Sequence, residues 1–396
     1  MNKVSVRDIE VKGKRVLLRV DFNVPLDATG EITDDSRIQA TLPTIKYLID
    51  QQAKVVLLSH LGRPDGKVVE GLRLAVVAQH LSQILGQTVA ISSDCIGPDV
   101  EQAVKELNDG DVLLLENVRF HPQEEDNDDS FAKALAKLAD IYVNDAFGAA
   151  HRSHASIVGV ANYLPAVAGL LLEREIKTLG GILENPAHPF AALLGGAKVS
   201  DKVGMLENIM DKVDSLLIGG GMAATFLKAN SYETGLSLVE TDRLYTAAEL
   251  MEGAARNGVH LRLPIDVVVA DSLSNEAEFE VVSINDIPPD LRVVDIGPLT
   301  IDSFSRELEK YKTVFWNGPM GIYEIPQFAE GTQAMARLLA DLKATTVIGG
   351  GSTAEVVAEM KLADKMTFVS TGGGASLRFL SGKVLPGVEV LMDKEV

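Results

Sequence analysis

In RVDFNVPL, residues 19–26, Arg19, Asp21 and Asn23 alternate with Val20 and Phe22. A strand's period of two would set the cation, the anion and the amide on one side and the apolar pair on the other, until Pro25 stops it. Cations recur after other apolar runs: His60 and Arg63 in SHLGRP, Arg119 in ENVRFHP, and Asn144, Asp145, His151 and Arg152 around VNDAFGAAHRSH. Arginines after separate strands of one sheet would form a local positive basin, and the planar guanidinium suits carboxylate and phosphate oxygens. A single exposed arginine is often only solvated or ion-paired, so the recurrence is what carries this reading.

The second half ends its apolar runs with glycine: LGGAKVSDK, LIGGGMAATF, WNGPMG, IGGGSTAEV and STGGGASL. Glycine where a strand turns into a helix exposes backbone N–H groups and a helix N-terminus carrying roughly half a positive charge, both suited to anions. Glycine also serves tight packing. Several clusters at one sheet edge, with Lys198 and Lys202 beside them, favour a polyphosphate. No segment fits GxxxxGK[ST], and GGGMAA (219–224) is a poor dinucleotide fingerprint.

The elements needed to position these residues are legible as repeats. VLLRV (16–20), VVLLS (55–59), VAI (89–91), VLLLE (112–116) and IYVND (141–145) alternate with helical periodicity, which predicts a parallel sheet wrapped by helices. A helical stretch over 164–184 follows, and NPAHP (185–189) is the expected linker. FAALLGG (190–196), SLLIGGG (215–221), TVFWNGP (313–319), TVIGGG (346–351) and MTFVSTGGG (366–374) predict a second sheet. The expected fold class is α/β, two doubly wound parallel-sheet, Rossmann-like lobes joined by a hinge helix.

Composition narrows the function classes. The 396 residues are 46% hydrophobic, enough for more than one core, and carry 37 basic against 56 acidic side chains. A formal charge of -19 opposes binding to nucleic acid or anionic membrane. No run approaches the about 20 apolar residues that span a bilayer. One cysteine, Cys95, and an N-terminus without a signal-peptide core lead us to expect a cytoplasmic protein. EEDNDDS (124–130) reads as a solvated acidic loop and helix start, and Cys95 as an unreactive small residue.

RVLLRVDFNVP, SHLGRP, LGGAKVSDK, WNGPMGIYE and STGGGASLRFLSGKVLPG resemble the phosphoglycerate kinase family in order and spacing along essentially the whole chain. The resemblance implies reversible phosphoryl transfer between ATP and the carboxylate of 3-phosphoglycerate on lobe closure, with Mg2+ accompanying ATP or ADP, in a monomer that binds neither nucleic acid nor membrane. It implies a 3-phosphoglycerate-binding domain over 1–170, an interdomain helix and linker over 171–188, a nucleotide-binding domain over 189–376, and a segment over 377–396 that returns to the first domain. Asp21 and Asn23 would hold the substrate's hydroxyl and carboxylate end, and His60, Arg63, Arg119 and Arg152 its phosphate. Arg19 would support the site from within. Arg37, Lys202, Gly350 and Gly373 would act in transfer, with Lys198 as a second phosphate contact. Gly196, Ala197, Gly220 and Gly221 would line the adenine pocket, and Pro319 and Glu324 would meet the ribose. Val293, Asn317, Gly351, Ser352 and Thr353 complete the expected nucleotide set.

The sequence departs from the family pattern at two places. GGGST (349–353) stands where the family usually reads GGGD[ST], so Ser352 replaces the carboxylate that usually serves magnesium, and the metal is expected to be held mainly by the nucleotide phosphates. Val293 stands at a position often glycine. Two rivals share parts of the pattern: a two-lobed anion-binding protein, which would not need the second glycine-rich lobe, and a nicotinamide-dependent dehydrogenase, which would need GxGxxG in a βαβ unit.

Overall fold

A computed structural model describes residues 2–394. Among them, β1 (Arg15–Arg19), β2 (Lys54–Leu58), β3 (Val89–Ile91), β4 (Val112–Leu114), β5 (Ile141–Asn144) and β6 (Ala166–Ala168) form one six-stranded sheet in the order β3-β4-β2-β1-β5-β6. Every pairing is parallel. The order reverses direction between β1 and β5, and right-handed crossovers then lay helices on both faces. That explains why Val16, Leu17 and Leu18 have no solvated side: all three are fully buried.

A second six-stranded parallel sheet contains β7 (Phe190–Leu194), β8 (Ser215–Ile218), β9 (His260–Arg262), β13 (Thr313–Asn317), β14 (Thr345–Gly349) and β15 (Phe368–Val369), in the order β15-β14-β13-β7-β8-β9. Its direction reverses between β7 and β13. Between β9 and β13 the chain builds an unexpected antiparallel sheet, β11-β10-β12, from β10 (Asp266–Ala270), β11 (Phe279–Ser283) and β12 (Arg292–Ile296). Val267 and Val269 of β10 are buried, whereas Phe279 and Val281 of β11 are half exposed. The central strand is thus buried while the edge strand β11 stays largely exposed, as an antiparallel sheet allows.

The chain divides into two compact units, residues 2–178 with 384–394 and residues 179–383. The division falls within the helix Leu170–Glu184. The expected linker, 185–189, is hydrogen-bonded into the second unit: Thr313 Oγ1 donates to the Ala187 carbonyl at 2.8 Å and Lys312 N to the Pro189 carbonyl at 2.8 Å. The C-terminal return begins later than Leu377. Leu377 lies in the helix Gly373–Leu380 of the second unit, whose Leu380 carbonyl accepts from Asn208 Nδ2 at 2.8 Å. From Val384 onward the described residues belong with the first unit, where Asn144 Nδ2 donates to the Gly387 carbonyl at 2.9 Å and Met392 N to the Ala166 carbonyl at 2.9 Å. Glu395 and Val396 lie outside the described residues.

Two local expectations are corrected. The strand that begins the chain's chemistry ends at Arg19, not Pro25, because the ladder gives way to a side chain: the Ser59 hydroxyl accepts from Phe22 N at 3.0 Å. The stretch expected to be helical from 164 begins as β6, and its helix starts only at Leu170. Asp145 Oδ1 caps that helix, accepting from Leu171 N at 2.9 Å and Leu172 N at 3.1 Å.

Burial pushes the Asp145 carboxyl up to about 6, so folding favours its protonated form. The stability this contributes is fully present below the unfolded value of 3.8 and is lost as pH rises through about 6. Asp145→Asn, which keeps the capping oxygen, is expected to remove up to about 3 kcal/mol of the fall in unfolding free energy between pH 4 and 7. Urea denaturation of both proteins across that range measures the difference.

Candidate functional site

In the first unit the carboxyl ends of β1, β2 and β4 and the segment after β5 gather the expected polar residues. Arg37, on the first turn of the helix Ser36–Asp50, bonds Asp21 Oδ2. Asp21 is buried, and its Oδ1 has no hydrogen-bond partner among the described residues. Asn23 Oδ1 accepts from Gly62 N at 2.8 Å, which turns its NH2 group away from that amide. Arg119 is buried and donates from Nη1 to the Gly62 carbonyl at 2.8 Å, so SHLGRP and ENVRFHP are held together. Arg152 is half-buried and Arg63 exposed.

His60 reports the field of this basin. It is buried, and burial together with the charges of Arg19, Arg119, Arg152 and Arg37 holds its pKa well below the ordinary histidine value. Its Nδ1 lies 3.1 Å from Arg19 Nη2 and 3.9 Å from Asp21 Oδ1. Arginine is a donor only, so Nδ1 is an acceptor, the neutral ring carries its proton on Nε2, and the approach to Asp21 is not an ion pair. Asn144 and Asp145 do not join the basin: they serve Gly387 and the helix cap.

In the second unit the close approach of three turns decides the site. Gly195 N donates to the Asn317 carbonyl at 3.0 Å, Gly196 N to the Pro319 carbonyl at 2.8 Å, and Gly220 N to the Met320 carbonyl at 3.0 Å. Gly220 has φ +64°, and a Cβ there would lie 2.6 Å from Gly196 N and 2.7 Å from the Pro319 oxygen, so only glycine fits. Gly221 packs on Ala197, where a Cβ would meet the Ala197 carbonyl oxygen at 3.2 Å. Thus Gly196, Ala197, Gly220, Gly221 and Pro319 share one surface.

Lys202 is buried and bonds Asn317 Oδ1, while Asn317 Nδ2 is buried with no partner among the described residues. Burial pulls the Lys202 pKa down to about 8, against the raising effect of Asp201. Two helices, Gly351–Glu359 and Gly373–Leu380, begin beside this pair without a side-chain cap. A Cβ on Gly373 would lie 2.8 Å from Gly351 N, and one on Gly350 3.0 Å from Asn317 Nδ2, so the two N-termini meet beside the Asn317 amide. Thr353 is buried, its hydroxyl accepting from Gly318 N at 2.7 Å.

Lys198 and Glu324 are exposed. Val293 lies on β12, and its amide donates to Ser237 Oγ at 2.9 Å, so that amide serves the fold. Ser352 is exposed at the start of its helix, within bonding reach of the Tyr323 phenol, which in turn donates to Glu355 Oε2 at 3.0 Å.

Sequence reasoning missed the residues that hold these turns from behind. Glu240 Oε2 accepts from Val199 N at 2.6 Å and Ser200 N at 3.1 Å, setting the segment between the two lysines. Glu124, the first residue of the acidic run read as solvated, is fully buried and accepts from Ser156. No local pattern marks either residue. Asp94, Cys95 and His121 bring ligand-type atoms within 4.8 Å of one another, but Asp94 Oδ1 already accepts from Cys95 N at 2.6 Å and lies 2.7 Å from His121 Nε2.

The family model described as phosphoglycerate kinase matches residues 6–383. The chain belongs to the phosphoglycerate kinase family. It is 55% identical over 394 residues to a phosphoglycerate kinase of Pelotomaculum thermopropionicum and likewise to one of Moorella thermoacetica, covering 100% of each chain. Among solved structures it is similar to a phosphoglycerate kinase from Coxiella burnetii (43% identity, TM-score 0.87) and to one from Pyrococcus horikoshii OT3 (34% identity, TM-score 0.86), with 98% of each chain covered. The activity of this phosphoglycerate kinase family member is reversible phosphoryl transfer between ATP and the carboxylate of 3-phosphoglycerate, giving 1,3-bisphosphoglycerate and ADP in glycolysis. Membership removes both rival readings. No helix among the described residues is long and apolar enough to cross a membrane.

An anion placed beside Lys202 would favour its charged form, so if the nucleotide phosphates take that place, ADP binding near pH 8 is expected to take up a fraction of a proton. Calorimetry in buffers of different ionisation enthalpy measures this uptake. It is expected to vanish in Lys202→Met.

Proposed function

We propose that the basin of the first unit binds 3-phosphoglycerate and the glycine-rich edge of the second binds ATP or ADP with Mg2+. The observation that carries this reading is a complementary pair of unmet buried atoms: an acceptor, Asp21 Oδ1, in the first site and a donor, Asn317 Nδ2, in the second. A substrate hydroxyl supplies the donor that Asp21 lacks, and a nucleotide phosphate the acceptor that Asn317 lacks. Asn23 turns its NH2 group to the substrate carboxylate. Arg63, Arg119, Arg152 and the Nε2–H of His60 hold its phosphate. Arg37 lies against Asp21, where it faces the carboxylate and offsets charge in transfer.

On the nucleotide side Gly196, Ala197, Gly220 and Gly221 offer a flat backbone surface to adenine, and Pro319 and Glu324 border the ribose. Lys198, Lys202, Asn317 and the helix starts at Gly350–Thr353 and Gly373 face the phosphates. A carboxylate oxygen is already a nucleophile and needs no general base, so the residues' work is alignment in line and neutralisation of the transferring oxygens. Lys202 and the two helix N-termini supply fixed positive ends for that charge. The turn offers N–H groups and the Ser352 hydroxyl, while Glu355 is tied to Tyr323. This donor set fits phosphate oxygens rather than a metal, so Mg2+ would be carried by the nucleotide phosphates and water, where it screens their charge. We infer a monomer in the cytoplasm; the single, buried Cys95 supports a reducing compartment.

A coupled assay with ATP and 3-phosphoglycerate, combined with calorimetry of each ligand alone, tests the division of labour. Arg63→Ala is expected to weaken 3-phosphoglycerate binding roughly tenfold or more while leaving ADP binding unchanged. Equal losses for both ligands would reject the assignment of Arg63.

Ser352→Asp is expected to tighten ADP binding with Mg2+ and weaken it in chelator, since the new carboxylate then faces bare phosphates. An unchanged difference between the two conditions would remove Ser352 from the metal-facing position.

A further inference from the structure

Arg19 is almost fully buried, a placement that needs a counter-charge and full hydrogen bonding. Its Nε donates to Ser156 Oγ at 2.8 Å, and the Ser156 hydroxyl donates to Glu124 Oε1 at 2.6 Å. Ser156 N donates to Glu124 Oε2 at 2.8 Å, and Ala155 N to the Glu124 backbone carbonyl at 2.9 Å. His154 Nδ1 lies 3.6 Å from Glu124 Oε1. On its other side Arg19 bonds the Val20 carbonyl and reaches His60 Nδ1 from Nη2 at 3.1 Å.

Hydrogen positions along this chain run one way. A carboxylate only accepts, so the Ser156 proton points to Glu124; the serine oxygen then accepts from Arg19, and Arg19, donor only, can meet His60 only at a lone pair. Each link determines the next.

We infer that Glu124 and Ser156 are positioning residues for the first site: acting through Arg19, they hold His60 with its Nδ1 as acceptor and its Nε2–H as the donor offered to the substrate's anionic group. The inference concerns the site proposed above and rests on that reading for the final step, from His60 to substrate. The groups that face His60 are Arg19 from β1, Asp21 just beyond it, Arg37 from the helix Ser36–Asp50, Arg119 after β4 and Arg152 after β5. Burial first, and then these four cations with Arg19 the foremost among them, favour the neutral imidazole. Burial pushes the Glu124 carboxyl up, but the His154 bond, the Arg19 charge and the Ser156 bonds outweigh it, so Glu124 remains the anion the chain requires.

The substrate oxygen therefore meets a neutral donor of fixed direction. Direction matters because a ring free to flip would present Nδ1 or Nε2, and one of these is a lone pair that repels an anion. A protonated ring would bind the anion but make the basin's charge, and with it substrate affinity, depend on pH near neutrality.

The experiment compares the wild type, Ser156→Ala and Glu124→Gln as full chains. Imidazole 15N NMR of the ligand-free proteins across pH 5 to 8 reads the relay itself, and calorimetric 3-phosphoglycerate affinity over the same range reads its consequence. In the wild type His60 is expected to show an unprotonated Nδ1 and a protonated Nε2, with its titration displaced well below the ordinary histidine value. In Ser156→Ala the preference for one tautomer should weaken and a titration should enter the range. Affinity relative to wild type should fall roughly tenfold at pH 8, the scale of one lost hydrogen bond to a charged group, with a smaller loss at pH 5.5, where the ring can charge. Taking the ratio of the two proteins at each pH cancels the titration of the ligand's own phosphate. ADP affinity, read on the second unit, should be unchanged and serves as the folding control; if Glu124→Gln fails it, Ser156→Ala decides alone. Wild-type-like His60 signals in Ser156→Ala would overturn the relay. Altered signals with unchanged 3-phosphoglycerate affinity at every pH would keep the relay and overturn the contact between His60 and substrate.

Discussion

A parallel strand covered on both faces can present polar chemistry only at its ends, because any polar group along its length would be buried without water. Both six-stranded sheets obey this constraint. The residues that carry charge or donate to an anion follow Arg19, Leu58, Leu114 and Asn144 in one unit and Leu194, Ile218, Asn317, Gly349 and Val369 in the other. The reversals of strand order, between β1 and β5 and between β7 and β13, leave a crevice at that edge. The helices that cover the faces then begin at the same edge, which adds their N-terminal dipoles to it.

The two units solve the problem of holding an anion in different ways. The first concentrates guanidinium groups, and like charges at close range must be compensated. Asp21 does this for Arg37 at the open side, and Glu124, through Ser156, does it for Arg19 on the buried side. Burial and the neighbouring charge of Arg152 depress even the Arg119 pKa. The second unit offers dipoles instead: one buried lysine, one buried amide and two uncapped helix starts. Dipoles of this kind are fixed by backbone geometry, so the unit needs glycines at the points where turns touch. Gly373 is required by the atoms it would otherwise meet, and Gly220 both by such atoms and by its left-handed backbone.

In an acidic protein these arrangements matter more than net charge. A formal charge of -19 gives no long-range help to a phosphorylated substrate. Affinity must come from short contacts in a low-dielectric pocket, where each is stronger than in water.

The sequence by itself determined the two parallel sheets, because short β-branched runs alternating with helical periodicity leave little else for the chain to do. It also pointed to the arginines and glycine turns that follow the strands, since both are local signals. It did not reveal the antiparallel sheet of 266–296, which interrupts the repeat of strand and helix, or β6, whose Ala166–Ala168 run merges with the apolar start of the helix that follows. Tertiary structure alone decided the supports. Glu124 lies in an acidic run that reads as solvent-facing, yet the fold buries it against Ser156, 32 residues later in the chain. Tertiary structure also moved the end of the first strand to Arg19 and gave Asp145 and Asn144 structural duties. The physical reason is the same in each case: a buried charge or amide is satisfied by partners from distant segments, and no local pattern encodes which segment arrives.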